Sequence, residues 1–224
     1  MKVLNIIDGT AGAVLKLAEV VPLEGLYLPD VIRAVVEKYA FVQTPSFVQE
    51  TISEKGLPFG MGKFLTGDKE ANIMSLTLYN DAILANCYST ELAQSLLRDL
   101  LSWAGETFGL RICILPEDRV RLASRLMAAF EPSALRNFDA FNETFQLAAQ
   151  MYRQTYGMER EIAMSRFQFD IDRSTLSPSY SYLPAFIIER DIEQPFSSNR
   201  FWCQAPLHTR DHIRLLETLE GLAR

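Results

Sequence analysis

The sequence is poor in the two side chains that most often bind zinc or form nucleophile–base pairs. Its 224 residues include three cysteines and two histidines. The cysteines stand at positions 87, 113 and 203, an odd number at wide spacing, whereas a secreted disulfide-rich domain carries an even number at close spacing. We therefore expect reduced thiols and a cytoplasmic location.

The chain also lacks a long apolar run and an excess of positive charge. No uncharged apolar stretch reaches the ~18 residues that a membrane-spanning helix needs, and Asp8 and Lys16 interrupt the apolar N-terminal segment. The formal net charge is −6, while nucleic-acid binding requires clustered lysine and arginine. The sequence thus predicts neither a membrane nor a nucleic-acid partner.

Apolar residues are abundant, at 48% of the chain, and their spacing predicts both helices and strands. Helical spacing predicts a helix over 28–41, and alternation predicts a hairpin over 71–88 with its turn at Asn80-Asp81. A second helix follows, with Ser89 or Thr90 as its cap and Gly105 or Gly109 at its end. The predicted fold class is α+β, with antiparallel sheets flanked by helices.

The order of elements then repeats in the second half of the chain. Extended segments come first, then a long helix opened by Pro132 and Ser133 and closed by Gly157. Further strand patterns and a terminal helix that starts near Thr209 follow. At a shift of 119 residues, Thr90, Leu96, Leu97, Leu100 and Ala104 fall on Thr209, Leu215, Leu216, Leu219 and Ala223. We therefore predict two related α-β-β-β-α halves, residues 1–115 and 116–224. The alternative is one compact α+β domain.

Four glycines surround one lysine in the segment GLPFGMGKFLTG, residues Gly56 to Gly67. It fails as a phosphate-binding loop, because Gly56 is one residue too far from Gly62-Lys63 and Phe64 stands where that loop needs a hydroxyl. We interpret this segment as a loop leading into a strand, whose glycines are structural and permit tight turns or a close approach of the backbone. Asp8-Gly9-Thr10 is likewise interpreted as a turn.

Two clusters have the residue types of a metal site. Cys203, His208 and His212 carry zinc-binding groups within ten residues. A fourth ligand could come only from Cys87 or Cys113, which are distant in the sequence. Against zinc, a cap at Thr209 would leave His208 outside the terminal helix, so that the histidines would not share one helix face. The alternative for this cluster is helix capping or surface roles for the histidines and burial of Cys203.

The second cluster is acidic. Alternation places Asp170 and Asp172 on one strand face, and Glu189 and Asp191 on one face of the next strand. If these strands pair, their carboxylates could hold magnesium for phosphoryl transfer. Interleaved arginines offer the alternative of cross-strand salt bridges on a solvated face.

Aromatic residues suggest an interaction surface. Phe138, Phe141, Phe145 and Tyr152 recur at helical spacing, and Tyr180 and Tyr182 lie in a loop of small polar residues. Most of the helical stripe is expected in a core, but part of it could bury against a second copy or another subunit. We therefore predict these six residues as candidate interface positions.

The leading functional hypothesis is a non-catalytic cytoplasmic protein that acts by protein–protein contact, either self-associated or as an accessory subunit of a larger assembly, without a cofactor. The alternative is a metal-dependent hydrolase or phosphoryl-transfer enzyme using zinc at the Cys/His cluster or magnesium at the carboxylate cluster. An enzyme requires a concave cluster of carboxylates or imidazoles, whereas a binding protein requires an exposed apolar patch.

Overall fold

The computed structural model describes residues 1–23, 25–46, 52, 54–111, 114–115, 117–131, 141–172, 174 and 183–221. The helices in these ranges are α1 (Leu17–Val20), α2 (Leu28–Tyr39), α3 (Thr90–Phe108), α4 (Asn142–Tyr156) and α5 (Thr209–Gly221). The strands are β1 (Lys2–Val14), β2 (Leu57–Thr66), β3 (Lys69–Leu78), β4 (Ala82–Cys87), β5 (Val120–Ala129), β6 (Arg166–Phe169), β7 (Phe186–Arg190) and β8 (Arg200–Ala205).

The eight strands form one antiparallel sheet in the order β2-β3-β4-β1-β5-β8-β7-β6. Helices α2, α3 and α5 lie on the same face of this sheet. The evidence comes from β5, where side chains an even number of residues apart point to the same face and contact the two cores. Leu122 packs on the core beneath α2 and α3, and Leu126 packs on the core beneath α5. The α+β class predicted from the sequence is confirmed.

The strand order is symmetrical about the central β1–β5 pair. β1 to β4 occupy the same relative positions as β5 to β8, and each group ends in a helix, α3 or α5. Each half therefore adds an initial strand to the predicted α-β-β-β-α order. One continuous sheet contains strands from both sides of the predicted boundary at residue 115. The evolutionary relationship between the halves and the position of their boundary stay predictions.

The two terminal helices of the halves meet at their first turns. The backbone N–H of Thr90 donates to Thr209 Oγ1 at 3.1 Å, and the N–H of Thr209 donates to Thr90 Oγ1 at 2.7 Å. Both residues are buried. Each threonine thus satisfies an N–H of the other helix, where the sequence suggested that Thr209 would cap its own helix.

The helices of the N-terminal half begin and end where their residues predict. Pro29 lies in the first turn of α2, and a backbone in the left-handed region at Ala40 ends that helix. Ser89 caps α3, its side chain accepting from the N–H of Leu92 at 3.3 Å, and Gly109 ends α3 with φ of 66°. The predicted helices and the β3–β4 hairpin are confirmed.

The glycine-rich segment was predicted as a loop leading into a strand, but most of it is itself a strand, since it forms β2 and the turn that follows. A Cβ at Gly62 would lie 2.5 Å from the ring of Phe41, and one at Gly60 would lie 2.5 Å from Gln43 Oε1. Gly67 adopts a φ of 60° between β2 and β3. The interpretation of these glycines as sites of close approach and tight turning is confirmed.

The interpretation of Asp8-Gly9-Thr10 as a turn is wrong, since all three residues lie inside β1. Asp8 is buried and pairs with Arg125 of β5 at 3.1 Å. Burial raises the pKa of the Asp8 carboxyl, and the Arg125 guanidinium opposes that shift. A Cβ at Gly9 would lie 2.0 Å from the backbone N of Thr90, so the glycine lets α3 approach the sheet.

The C-terminal half has shorter strands than the alternation predicts. β6 and β7 cover four and five residues, and the extended pattern continues past the end of each. Helix α4 ends at Gly157 as predicted, with φ of 68°, while its predicted start at Pro132 and Ser133 lies outside the described residues. None of the fifteen residues of α4 is buried.

Candidate interaction site

The structure places the predicted zinc cluster in three separate environments. Cys203 lies on β8 and is fully buried, and burial raises the pKa of its thiol to about 12, so the group stays a neutral thiol at pH 7. His212 lies on the buried face of α5, with its Nδ1 3.0 Å from Ser124 Oγ. His208 Nδ1 lies 4.0 Å from a carboxylate oxygen of Glu91.

The geometry gives no support to zinc binding by this cluster. Among the described residues, no group of three histidine, cysteine, aspartate or glutamate side chains lies close enough to hold a metal ion. Cys87 belongs to the core of the N-terminal half, where burial raises its thiol pKa to about 12. Cys113, the other distant ligand considered from the sequence, lies outside the described residues.

The carboxylates of the predicted magnesium cluster do not converge: two of them pair with arginines, and another forms hydrogen bonds within a turn. β6 and β7 do pair, with Arg166 opposite Glu189, and those two side chains approach to 4.0 Å. Asp191 lies 3.7 Å from Arg200 Nε. These contacts correspond to the alternative of salt bridges between neighbouring strands rather than to a converging magnesium site.

Asp170 and Asp172 do not occupy a shared strand face, because β6 ends at Phe169. Asp172 instead accepts from the N–H and the hydroxyl of Ser174 at 3.0 and 2.7 Å. These hydrogen bonds lower the pKa of the Asp172 carboxyl. Both aspartates are exposed, and Asp172 stabilises a local turn.

The aromatic stripe is only partly buried in the structure. Phe141 is 53% exposed beside α4, and Phe145 and Tyr152 on the helix are half-buried. The rings of Phe141 and Phe145 lie 6.3 Å apart, and those of Tyr152 and Tyr156 lie 4.7 Å apart. Phe138, Tyr180 and Tyr182 lie outside the described residues.

A second apolar surface lies between α5 and the edge strands of the same half. Phe169 stacks on Phe186 with ring centroids 4.5 Å apart and an interplanar angle of 11°. These two rings line one depression with Leu215 and Leu219 of α5, and Phe169 remains 40% exposed. Each chain therefore presents a partly exposed apolar helix stripe and a partly uncovered apolar depression.

An apolar cavity of about 500 Å³ in the N-terminal half was missed by the sequence reasoning. It lies between α2 and α3, with Val31 on one wall and Ala104 and Phe108 on the other. A signal was present in the sequence: Trp103 and Phe108 add two large rings to α3, beside the leucine stripe that fills the core. Their contribution to a cavity depends on how α2 is placed, which no local pattern specifies.

Comparison with known proteins adds no assignment. No protein-family model matches the chain, and neither a curated protein nor a solved structure is significantly similar to it. Within the described residues, no helix is both long and apolar enough to cross a membrane. A functional proposal therefore has to rest on the two apolar surfaces and the cavity.

Proposed function

We propose that the protein is a non-catalytic subunit that acts by protein–protein contact, and that its first partner is a second copy of the same chain. The observation that carries this proposal is α4, an amphipathic helix with no buried residue. An aromatic stripe that stays exposed costs free energy in water, and association with another apolar surface recovers that cost.

The position of α4 in the chain supports this proposal. In the N-terminal half, α2 stands between the first and second strands and buries Ile32, Val35 and Tyr39. In the C-terminal half, α4 has the equivalent place between β5 and β6 but covers no core. The α4 stripe and the depression beside α5 are both apolar and lie on the same chain. Two copies related by a two-fold axis can therefore bury the stripe of each copy in the depression of the other.

The test is native mass spectrometry combined with light scattering over a range of protein concentrations. We expect a dimer whose dissociation constant rises at least tenfold in Phe145→Asp, because a carboxylate is costly to bury without a partner. Gln146→Asp is the matched control, since Gln146 is exposed one position along the helix and points away from the stripe. A wild-type protein that stays monomeric at high concentration would remove the second copy as partner.

The same spectra test the enzymatic alternative. A retained zinc-sized mass increment that disappears in Cys203→Ser would favour a metal enzyme and redirect attention to His208 and His212. We expect no such increment, because Cys203 and His212 face the interior with no third ligand among the described residues. A magnesium-dependent activity abolished by Glu189→Gln would likewise contradict the proposal.

A further inference from the structure

The cavity in the N-terminal half lies mainly between two helices and the turn that joins β3 to β4. Val31 and Val35 line it from α2, and Leu100, Ala104 and Phe108 line it from α3. Tyr79 and Asn80, in the turn between β3 and β4, complete one end. Its volume of about 500 Å³ lies within the ~300–1,000 Å³ that is typical of small-molecule sites.

The walls of the cavity are built from ordered aromatic and aliphatic groups. Trp103 meets Tyr39 edge-on at 6.0 Å and Phe108 at 5.7 Å. Tyr39 is itself fixed, because it is fully buried and its hydroxyl donates to Asp99 at 2.8 Å. The aromatic wall is thus held by the core rather than by a ligand, and the site is formed in advance.

The chemistry of the lining restricts the ligand. Of the described residues that surround the cavity, none carries a charged side chain, and the polar side chains are those of Tyr79 and Asn80. A charged group inside would have no counter-ion among these described residues and would lose its hydration. Asn80 is exposed, and its amide donates to the carbonyl of Ile52 at 3.3 Å, so polar groups gather at one end, next to solvent.

We propose that this cavity is a binding site for a neutral, apolar small molecule, whose apolar body lies between α2 and α3 and whose single polar group points to the Tyr79–Asn80 end. Apolar cavities of this kind are poor sites for water and bind apolar guests. Unpaired apolar walls gain dispersion contacts and lose contact with solvent when such a molecule enters. The proposal concerns a different region from the α4 surface and stands or falls independently of it.

The test uses two tryptophans as local reporters. The chain has two, Trp103 in the cavity wall and Trp202 on β8, so Trp202→Phe leaves only the cavity reporter and Trp103→Phe leaves only the distant one. The probe is 11-bromo-1-undecanol, whose bromine quenches indole emission at short range. We expect saturable quenching in Trp202→Phe and little quenching in Trp103→Phe.

A pair of substitutions then locates the site. Ala104→Phe fills the cavity from α3 and should weaken the quenching of Trp103 at least tenfold, and Val31→Phe should do the same from α2. Ala148→Phe, a matched addition on α4, should leave the binding constant within about twofold. Far-UV circular dichroism establishes that each variant is folded. If a filling variant does not fold, the comparison of Trp202→Phe with Trp103→Phe still tests the proposal, because neither protein carries a filling substitution.

The carboxylate analogue tests the ligand class. At pH 8 we expect 11-bromoundecanoate to bind at least tenfold more weakly than the alcohol. Three outcomes would overturn the proposal: no quenching of Trp103, equal quenching of both tryptophans, which indicates adsorption to the surface, or equal binding of the alcohol and the carboxylate.

Discussion

The two halves of the sheet place a helix at the same point in their element order but use it differently. Helix α2 buries Ile32, Val35 and Tyr39 and helps to enclose a large core with α3. No residue of helix α4 is fully buried, and the core beneath α5 is a small cluster around Leu126, Phe201 and Leu216. The comparison shows that shared strand order does not guarantee equal packing.

The difference follows from what each half offers its helix. β2 extends over ten residues and lets Phe41 approach at Gly62, so α2 and the segment after it lie close to the sheet. β6 extends over four residues, which leaves less strand surface for α4. Because buried apolar area provides most of the stability of a domain, the N-terminal half should be the more stable of the two.

The largest predicted effect compares one residue from each helix. Ile32→Ala should lower the free energy of unfolding by about 2–5 kcal/mol, because the residue is fully buried and its loss leaves a cavity. Phe145→Ala should lower it clearly less, by no more than about 1 kcal/mol, since Phe145 is only half-buried and no residue of α4 is fully buried. Urea unfolding measured on dilute protein, where any dimer has dissociated, gives both values.

Equal losses from these two variants would show that α4 is packed as well as α2 and would remove the contrast between the halves. Single-tryptophan proteins sharpen the same experiment, since Trp103 reports on the N-terminal half and Trp202 on the C-terminal half. We expect the Trp202 transition at lower urea. Coincident transitions would mean that the continuous sheet unfolds as one cooperative unit.

Acid should separate the halves through His212. This residue is buried in the C-terminal half, and at a shift of 119 residues it corresponds to Ala93 in α3. Burial lowers the pKa of His212 to about 4 from the ordinary 6.5. Between these values the unfolded chain binds the proton and the folded chain does not, so stability falls as pH is lowered from about 6.5 to about 4.

The full loss from this residue is about 3 kcal/mol, since each pKa unit corresponds to ~1.36 kcal/mol. The measurement is the urea midpoint of the Trp202 signal at several pH values. His212→Gln keeps a group able to bond Ser124 but cannot be protonated, so its midpoint should depend less on pH across this window. An unchanged pH dependence in that variant would assign the acid sensitivity to carboxyl groups instead.

Local sequence patterns predicted the features whose causes are local. The hairpin at Asn80-Asp81, the cap at Ser89 and the helix ends at Gly109 and Gly157 all depend on residues within a turn or two of each other. The close backbone approach at Gly60 and Gly62 was anticipated, but their segment was predicted as a loop leading into a strand, whereas both residues lie within β2. The α+β class follows from these elements together.

The errors arise where distant residues decide the structure. Asp8-Gly9 has the composition of a turn, but Arg125 on β5 pairs with the Asp8 carboxylate. The first turn of α3 lies so close to Gly9 that this position cannot carry a side chain. The apolar cavity depends on the placement of α2 against α3 in the same way. For the candidate site, the sequence identified the aromatic stripe at Phe141, Phe145 and Tyr152, but not the unequal packing that exposes it.

A smaller effect is expected from adding one methyl group to β1. Gly9→Ala should destabilise the protein by about 2 kcal/mol, because the new Cβ would lie 2.0 Å from a backbone nitrogen of α3 and either the helix or the strand must move. Gly12→Ala, on the same strand, meets only the end of the Leu84 side chain at 2.7 Å. That side chain can change rotamer, so the cost should be clearly smaller in thermal and urea unfolding.

The junction between the halves gives the smallest predicted change and the most direct measure of how they are coupled. Thr90→Val removes the oxygen that accepts from the N–H of Thr209, and Thr209→Val removes the reciprocal acceptor. Each substitution should cost about 1–2 kcal/mol, because it leaves a buried N–H without a partner while preserving side-chain shape.

The double variant makes the result specific to that junction. The two hydroxyl oxygens also lie 3.2 Å apart, so the losses should be non-additive by at least about 0.5 kcal/mol in a double-mutant cycle. Strictly additive losses would mean that the two helix starts are stabilised separately. In that case the pairing of β1 with β5 would be the main connection between the halves. The difference between the urea midpoints reported by Trp103 and Trp202 should then widen when either threonine is replaced.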